Sequence, residues 1–304
     1  MREWALILFT ILAQMSVGAF VVLGLVHLWA MRRFGPQQAD RLADRALLAI
    51  GPTLALGFLA SLFHLGSPLV AYRALFNLAS SWLSREIAFG ITFAVLGALF
   101  AFLQWRKLGS FAVRNLVALL AALVGLALVY VMARVYMLPT QPAWNTWATP
   151  VSFYLTTFLL GALAMGSAFV LNYALLRRQD PKLVAHDMDM LRGALRGIAL
   201  TALVCLVLQL VVAPLTVATL AAGSTQAVQS AGLLMSQYRG LFVLELALLV
   251  LGAGVFGLWL YRSALKGEAQ PMLARLAFAA FALTLVGEVV GRYLFYTTHV
   301  KIGL

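Results

Sequence analysis

Glu86, Glu245 and Glu288 lie in or against apolar runs of the chain, where an ionisable side chain is costly and becomes a functional candidate. Glu86 opens one hydrophobic segment shortly after His64 closes the segment before it. A single connection joins the two segments, so both side chains are expected at the same face of a membrane. Imidazole ionises near neutral pH and can take a proton and hand it to water. A carboxylate beside it supplies a second acceptor or an exit. Oxidising a hydroquinone releases two protons and two electrons. It needs bases at the ring oxygens, an apolar wall for the ring and an electron acceptor close by. A histidine–glutamate pair at one membrane surface suits that chemistry.

The flanking residues sharpen the pattern. His64 sits in Ser61-Leu62-Phe63-His64-Leu65-Gly66-Ser67-Pro68, where Gly66 and Pro68 end the span about one helical turn beyond the imidazole. Ser84 and Arg85 precede Glu86. Ser84 is expected to cap the helix, Glu86 to favour its positive end, and Arg85 to neutralise the carboxylate. Phe63, Phe89 and Met132 can wall a ring. Arg134 and Tyr136 lie at the same level and can donate to a quinone oxygen and stabilise an anionic intermediate. Arg73, in the connection after His64, is a further candidate. Glu245 and Glu288 lie deeper, and Glu288 is expected to pair with Arg292 one turn on. Each residue also has a plainer role open to it: interfacial packing for His64, a helix-end charge for Glu86, and helix–helix contacts for the deeper pair.

Those residues sit in a protein that is 63% hydrophobic and 11% charged, with a mean hydropathy of +0.95. Runs of about 20 apolar residues match a bilayer's hydrocarbon thickness, so the expected class is an all-α polytopic membrane protein. The segments lack the alternation of an outer-membrane barrel. Eight spans are expected, near 5–30, 46–66, 85–104, 112–137, 150–176, 195–217, 239–261 and 272–298. The first reads as a retained span. Pro214, in the sixth, is the nearest thing to a break. The net charge of +12 resides in short loops facing lipid, which makes it a topology signal and excludes nucleic acid as the expected partner. Fifteen of the 22 Lys and Arg residues fall in or beside the odd-numbered loops. That bias puts those loops in the cytoplasm and both termini on the periplasmic side of an inner membrane. Arg85, Arg134, Arg239 and Arg292 then lie at the outer ends of their spans against the rule.

Cofactor chemistry is narrowed by what the protein can ligate. Cys205 is the one cysteine, which rules out an internal disulfide, a thiolate-held iron–sulfur cluster and a zinc–thiolate site. The four histidines, His27, His64, His186 and His299, offer no midplane pair for a haem. Electrons taken from a quinol must therefore leave to another subunit. A faint repeat relates Gly18-Ala19-Phe20-Val21 to Ser167-Ala168-Phe169-Val170, and it divides residues 1–304 into a first four-helix half, 1–140, and a second, 141–304. The second half has no counterpart of His64, which assigns the quinol site to the first.

With these residues in place, the sequence resembles the membrane anchor subunit of the bacterial dimethyl sulfoxide reductase family. The matching stretches include Glu3-Trp4, Gln14, Gly18-Ala19-Phe20, the Ser61–Pro68 run, Leu83-Ser84-Arg85-Glu86-Ile87, Arg134-Val135-Tyr136, Trp147-Ala148-Thr149-Pro150, Gly287-Glu288 and Gly291-Arg292-Tyr293-Leu294-Phe295-Tyr296. The resemblance implies a haem-free, eight-span subunit that oxidises menaquinol to menaquinone at its outer face during anaerobic respiration. It implies two partners, a four-cluster ferredoxin-like iron–sulfur subunit and a molybdopterin catalytic subunit. His64 matches the family's quinol-site histidine and Glu86 its neighbouring glutamate. Protons released on the side of the site would add little membrane potential. The anchor of a polysulfide, tetrathionate or selenate reductase, a secondary transporter and a site-free anchor are the rival readings.

Overall fold

The computed structural model describes residues 2–62, 68–179 and 187–303; His64, Gly66, Phe63 and His186 lie outside them. Every regular element among the described residues is helical. They run α1 (Arg2–Phe34), α2 (Pro36–Leu62), a 3₁₀ segment (Pro68–Asn77), α3 (Trp82–Arg106), α4 (Phe111–Tyr136), α5 (Ala148–Gln179), α6 (Met188–Ala221) and α7 (Thr225–Met235). After these come α8 (Arg239–Leu249), a π-helical segment (Val250–Phe256), α9 (Gly257–Lys266) and α10 (Gln270–Thr297). Among the described residues, eight helical stretches are long and apolar enough to cross a membrane, with α8, the π segment and α9 forming one of them.

Helix ends follow local chemistry. Gly35, at φ +94°, turns the backbone after α1, and Pro36 occupies the first position of α2, where its missing N–H costs nothing. The cap of α3 is Ser81, whose hydroxyl accepts from the Ser84 amide at 3.2 Å. Ser84 itself is buried inside the first turn, so the expected cap moves three residues upstream. Two helices start earlier than continuous hydropathy suggests. In α2, Ala39, Leu42, Ala43, Ala46 and Leu47 are buried, an amphipathic stripe that extends the helix below its apolar run. In α6, Met190, Leu191, Ala194 and Leu195 do the same.

The α1 and α5 helices are mostly enclosed by the others. They meet backbone to backbone: a Cβ on Gly18 would lie 1.8 Å from the Thr157 carbonyl oxygen. Small residues at such crossings let transmembrane helices approach closely. By contrast α3, α6 and the α8–α9 span turn large apolar side chains outward, Phe102, Trp105, Val207, Leu208 and Val243 among them. So much exposed apolar surface belongs against lipid. The irregularity in the seventh span is not at a proline. The π segment carries Gly252, whose ideal Cβ would sit 2.5 Å from Thr284 Oγ1, so the widened turn brings this backbone against α10. Pro214 sits within an unbroken α6.

Polar contacts gather where α1 ends and α2 begins, here termed the His27 end. Gln104 Nε2 and Lys107 Nζ each donate to both Asp40 and Asp44, and His27 Nε2 lies 2.9 Å from Asp40. Arg41 grips Asp187 at the start of α6 through two 2.9 Å hydrogen bonds, and Asn172 donates to the Arg41 and Leu42 carbonyls. Replacing Arg41 by Ala strands an almost fully enclosed carboxylate. The expected cost is about 3 kcal/mol, read as a lower melting temperature of the detergent-solubilised protein. Lys107 is half exposed, and Lys107→Met is expected to cost about 1 kcal/mol or less.

Candidate functional site

The opposite end of the bundle, the Glu86 end, is formed by the start of α3, the ends of α4 and α10 and the connection into α5. On α3 the buried positions include Glu86, Gly90 and Phe93. This helical spacing defines the face turned to the bundle, and Glu86 is its first ionisable member. Glu86 is 5% exposed, and its Oε1 has no hydrogen-bond partner among the described residues. Few buried polar atoms in proteins stay unpaired, and those that do invite a ligand or a catalytic explanation.

Arg85 does not neutralise it. Its guanidinium donates to the Leu78 and Ala79 carbonyls at 2.8 and 2.7 Å and lies 4.3 Å from the centre of the Trp82 ring. Arg134 covers the same ring at 4.8 Å, with its enclosed Nε unpaired among the described residues. Two cations over one indole hold Trp82 at the rim. Arg73 is exposed on the 3₁₀ segment.

Tyr136 closes α4 on its inner face, buried beside Met132 and Ala133. Its hydroxyl shares a 2.6 Å hydrogen bond with the hydroxyl of Tyr296 on α10. Trp144, Phe153 and Phe295 pack around its ring at 5.5, 5.8 and 5.5 Å. Glu86 lies within electrostatic reach of both tyrosines. Arg292 completes the cluster: buried, 4.0 Å from the centre of the Phe153 ring, it donates to Gln14 Oε1 of α1 at 2.9 Å. The structure thus brings Glu86, Tyr136 and Arg134 to one end and adds Arg292, Tyr296 and Gln14. Sequence reasoning had the signal for Arg292, a cation in an apolar run, and for Gln14, an amide in another. It did not have their convergence.

Glu288 is not paired with Arg292. It accepts from Thr156 Oγ1 at 2.7 Å and Gln209 Nε2 at 2.6 Å, tying α5, α6 and α10 together. Removing the Tyr296 hydroxyl as Phe leaves Tyr136 without its buried partner. A loss of about 1 kcal/mol is expected in thermal unfolding of the solubilised protein.

At the His27 end, an apolar groove of about 280 Å³ runs between α1 and α4, with His27, Asp44, Gln104 and Asn115 in its wall. The remaining sequence candidates, His64 and Gly66, fall outside the described residues.

A helical bundle with a lipid-facing belt and ionisable side chains sunk in its interior is a polytopic membrane protein. The family model for the DMSO reductase anchor subunit (DmsC) matches residues 1–298, and the protein belongs to that family. It is 33% identical to the C component of the anaerobic dimethyl sulfoxide reductase of Escherichia coli (strain K12) over 304 residues, which is 100% of this sequence and 97% of that one. It is 30% identical to the C component of the anaerobic dimethyl sulfoxide reductase of Haemophilus influenzae over 304 residues, which is 99% of this sequence and 96% of that one. A shorter match, 37% over 84 residues, links it to the C component of the sulfite dehydrogenase of Allochromatium vinosum and spans 28% of this sequence and 26% of that one.

Proposed function

We propose that this protein anchors a molybdopterin-dependent, DMSO-reductase-type complex in the bacterial inner membrane. In this reading it oxidises menaquinol at the Glu86 end and passes the electrons to an iron–sulfur subunit. The observation that carries the proposal is Glu86: a carboxylate enclosed in the first turns of a transmembrane helix, with an oxygen that has no partner among the described residues and a tyrosine pair within electrostatic reach.

Helix register supports a shared role with His64. An ideal Cβ on Gly90 of α3 would lie 3.0 Å from the Phe58 ring of α2, so these residues are level. Glu86 is four residues from Gly90 toward the Glu86 end, and α2 ends at Leu62, four residues beyond Phe58. The sequence reaches His64 two residues later. Four helical residues rise about 6 Å, so α2 stops at the depth of the carboxylate. Glu86 and His64 then accept the two quinol protons, while Arg134 and Tyr136 offer donors to the charge that develops on the ring oxygens. The charge bias of the loops supports a periplasmic position for this end and for both termini.

The test is quenching of a fluorescent quinol analogue in membranes containing the assembled complex. His64→Leu and Glu86→Gln are each expected to weaken binding, and wild-type binding in both would remove the site. The partial match to a sulfite dehydrogenase component favours one alternative, the anchor of a different oxidoreductase. The catalytic partner that co-purifies with this protein separates the two.

A further inference from the structure

Beside the aromatic cluster, on the second half's side of the Glu86 end, lies a cavity of about 190 Å³. Its rim includes Thr146 and Thr298 at the ends of their elements, and its depth is set by Gln209 of α6 and Glu245 of α8. The wall is mostly apolar, with Glu245, Gln209 and several threonines set into it. Among the described residues, Thr146 Oγ1 and Gln209 Oε1 are enclosed and unpaired, and Glu245 forms no hydrogen bond or ion pair. Glu288, one layer deeper, is by contrast satisfied twice. Glu245 and the hydroxyl-bearing Ser152, Thr216 and Thr298 on the lining offer water polar partners among the apolar side chains, and this volume is room for about six molecules.

The cavity shares a wall with the Glu86 cluster. Trp144 and Phe295 line it and stack on each other at 5.2 Å, and both pack edge-on against Tyr136 at 5.5 Å. Glu245 reaches this wall because its neighbour on α10 is Gly291: a Cβ there would lie 2.3 Å from Glu245 Oε1. The next residue is Arg292, within electrostatic reach of Glu245, Glu288, Tyr136 and Tyr296. From Glu86 to the cavity, the interior therefore holds a hydroxyl pair and a carboxylate, with the Arg292 guanidinium beside them as a fixed positive charge.

We infer that this vestibule is a proton outlet of the quinol site, with Glu245, beside the Arg292 charge, relaying protons from the Tyr136–Tyr296 hydroxyl pair to water at the Glu86 end. The inference rests on the quinol reading above. Oxidation of one quinol breaks two O–H bonds. The two electrons go to the iron–sulfur partner, and the two protons go to Glu86 and His64, then out. Glu245 touches no substrate in this scheme and acts only in clearing the acceptors for the next turnover.

Two measurements on the assembled complex decide it. In a Cys205→Ala background, Thr216→Cys in the vestibule wall is expected to react with a charged maleimide supplied at both membrane faces, whereas lipid-facing Val207→Cys is not. Equal, negligible labelling of the two would overturn the vestibule, whatever the fate of the quinol site. Glu245→Gln is expected to slow quinol-driven turnover about 100-fold with quinol-analogue binding unchanged, and Glu245→Asp to recover part of the rate. Wild-type turnover in Glu245→Gln, or lost analogue binding, would overturn the relay. Should the Gln variant not accumulate, Glu245→Asp decides the relay: slowed turnover with unchanged analogue binding is expected, and wild-type turnover would overturn it. Failure of the quinol reading shows elsewhere, as unaltered analogue binding in Glu86→Gln and His64→Leu.

Discussion

Glu86→Gln is expected to lower quinol-driven electron transfer through the assembled complex by about 10²–10³-fold, while reduction of the terminal acceptor by an artificial low-potential dye stays at the wild-type rate. The substitution keeps the shape of the side chain and removes only its ability to take a proton. Its surroundings tolerate the change, because the enclosed Oε1 has no protein hydrogen bond to lose among the described residues. The dye bypasses this subunit and reports on assembly and on the partners' own chemistry. A loss of both activities would mean that Glu86 holds the complex together. A loss of neither would mean that the carboxylate is a buried spectator. A selective loss of the quinol route is the signature of a proton acceptor at the oxidised ring.

The largest structural effect is expected from one methyl group at Gly18. An added Cβ would lie 1.8 Å from Thr157 O and 2.7 Å from Thr157 C, both backbone atoms of α5 that cannot swing aside. The reciprocal position is equally closed, with a Cβ on Gly161 2.3 Å from the carbonyl carbon of Gly18. Helices α1 and α5 must separate to admit Gly18→Ala, and that loosens the two most enclosed spans at once. Overpacking of this kind costs about 3 kcal/mol, a large fraction of a typical folding free energy of about 5–15 kcal/mol. Gly97→Ala is the control, because nothing lies within 4 Å of its ideal Cβ. Membrane abundance and melting temperature of the solubilised protein should fall sharply for Gly18→Ala and hold for Gly97→Ala. Equal stability of the two would contradict the close crossing.

Much of the fold was legible because a bilayer imposes length and apolarity together. The eight spans follow from hydropathy alone, and the structure has them. What hydropathy could not give were the amphipathic ends. The turns from Pro36 to Arg45 are charged on one side and buried on the other, so a running average sees a loop where a helix continues. The short α7 between spans six and seven escaped for the same reason. The seventh span's π segment carries no proline to mark it in the sequence. A proline in a transmembrane helix can be absorbed by its neighbours, whereas Gly252 against Thr284 calls for a local widening.

The site divides along a similar line. Glu86 stood out because a carboxylate in an apolar run has few reasons to be there. Arg292 stood out as a cation at the end of an apolar run and Gln14 only within the resemblance, and their 2.9 Å contact joins residues at opposite ends of the sequence. Sequence spacing carries no trace of it. Glu288 shows the same limit: one turn along the helix suggested Arg292, whereas tertiary partners from α5 and α6 claim the carboxylate, the helix–helix contact that was its plainer role.

The most direct measurement is an electron cryo-microscopy structure of the assembled complex with a quinol analogue bound. Its ring is expected at the Glu86 end, one oxygen facing the Glu86 carboxylate and the other within reach of the His64 imidazole. A ring seated instead in the groove beside His27, with the Glu86 carboxylate enclosed and out of contact, would contradict the assignment.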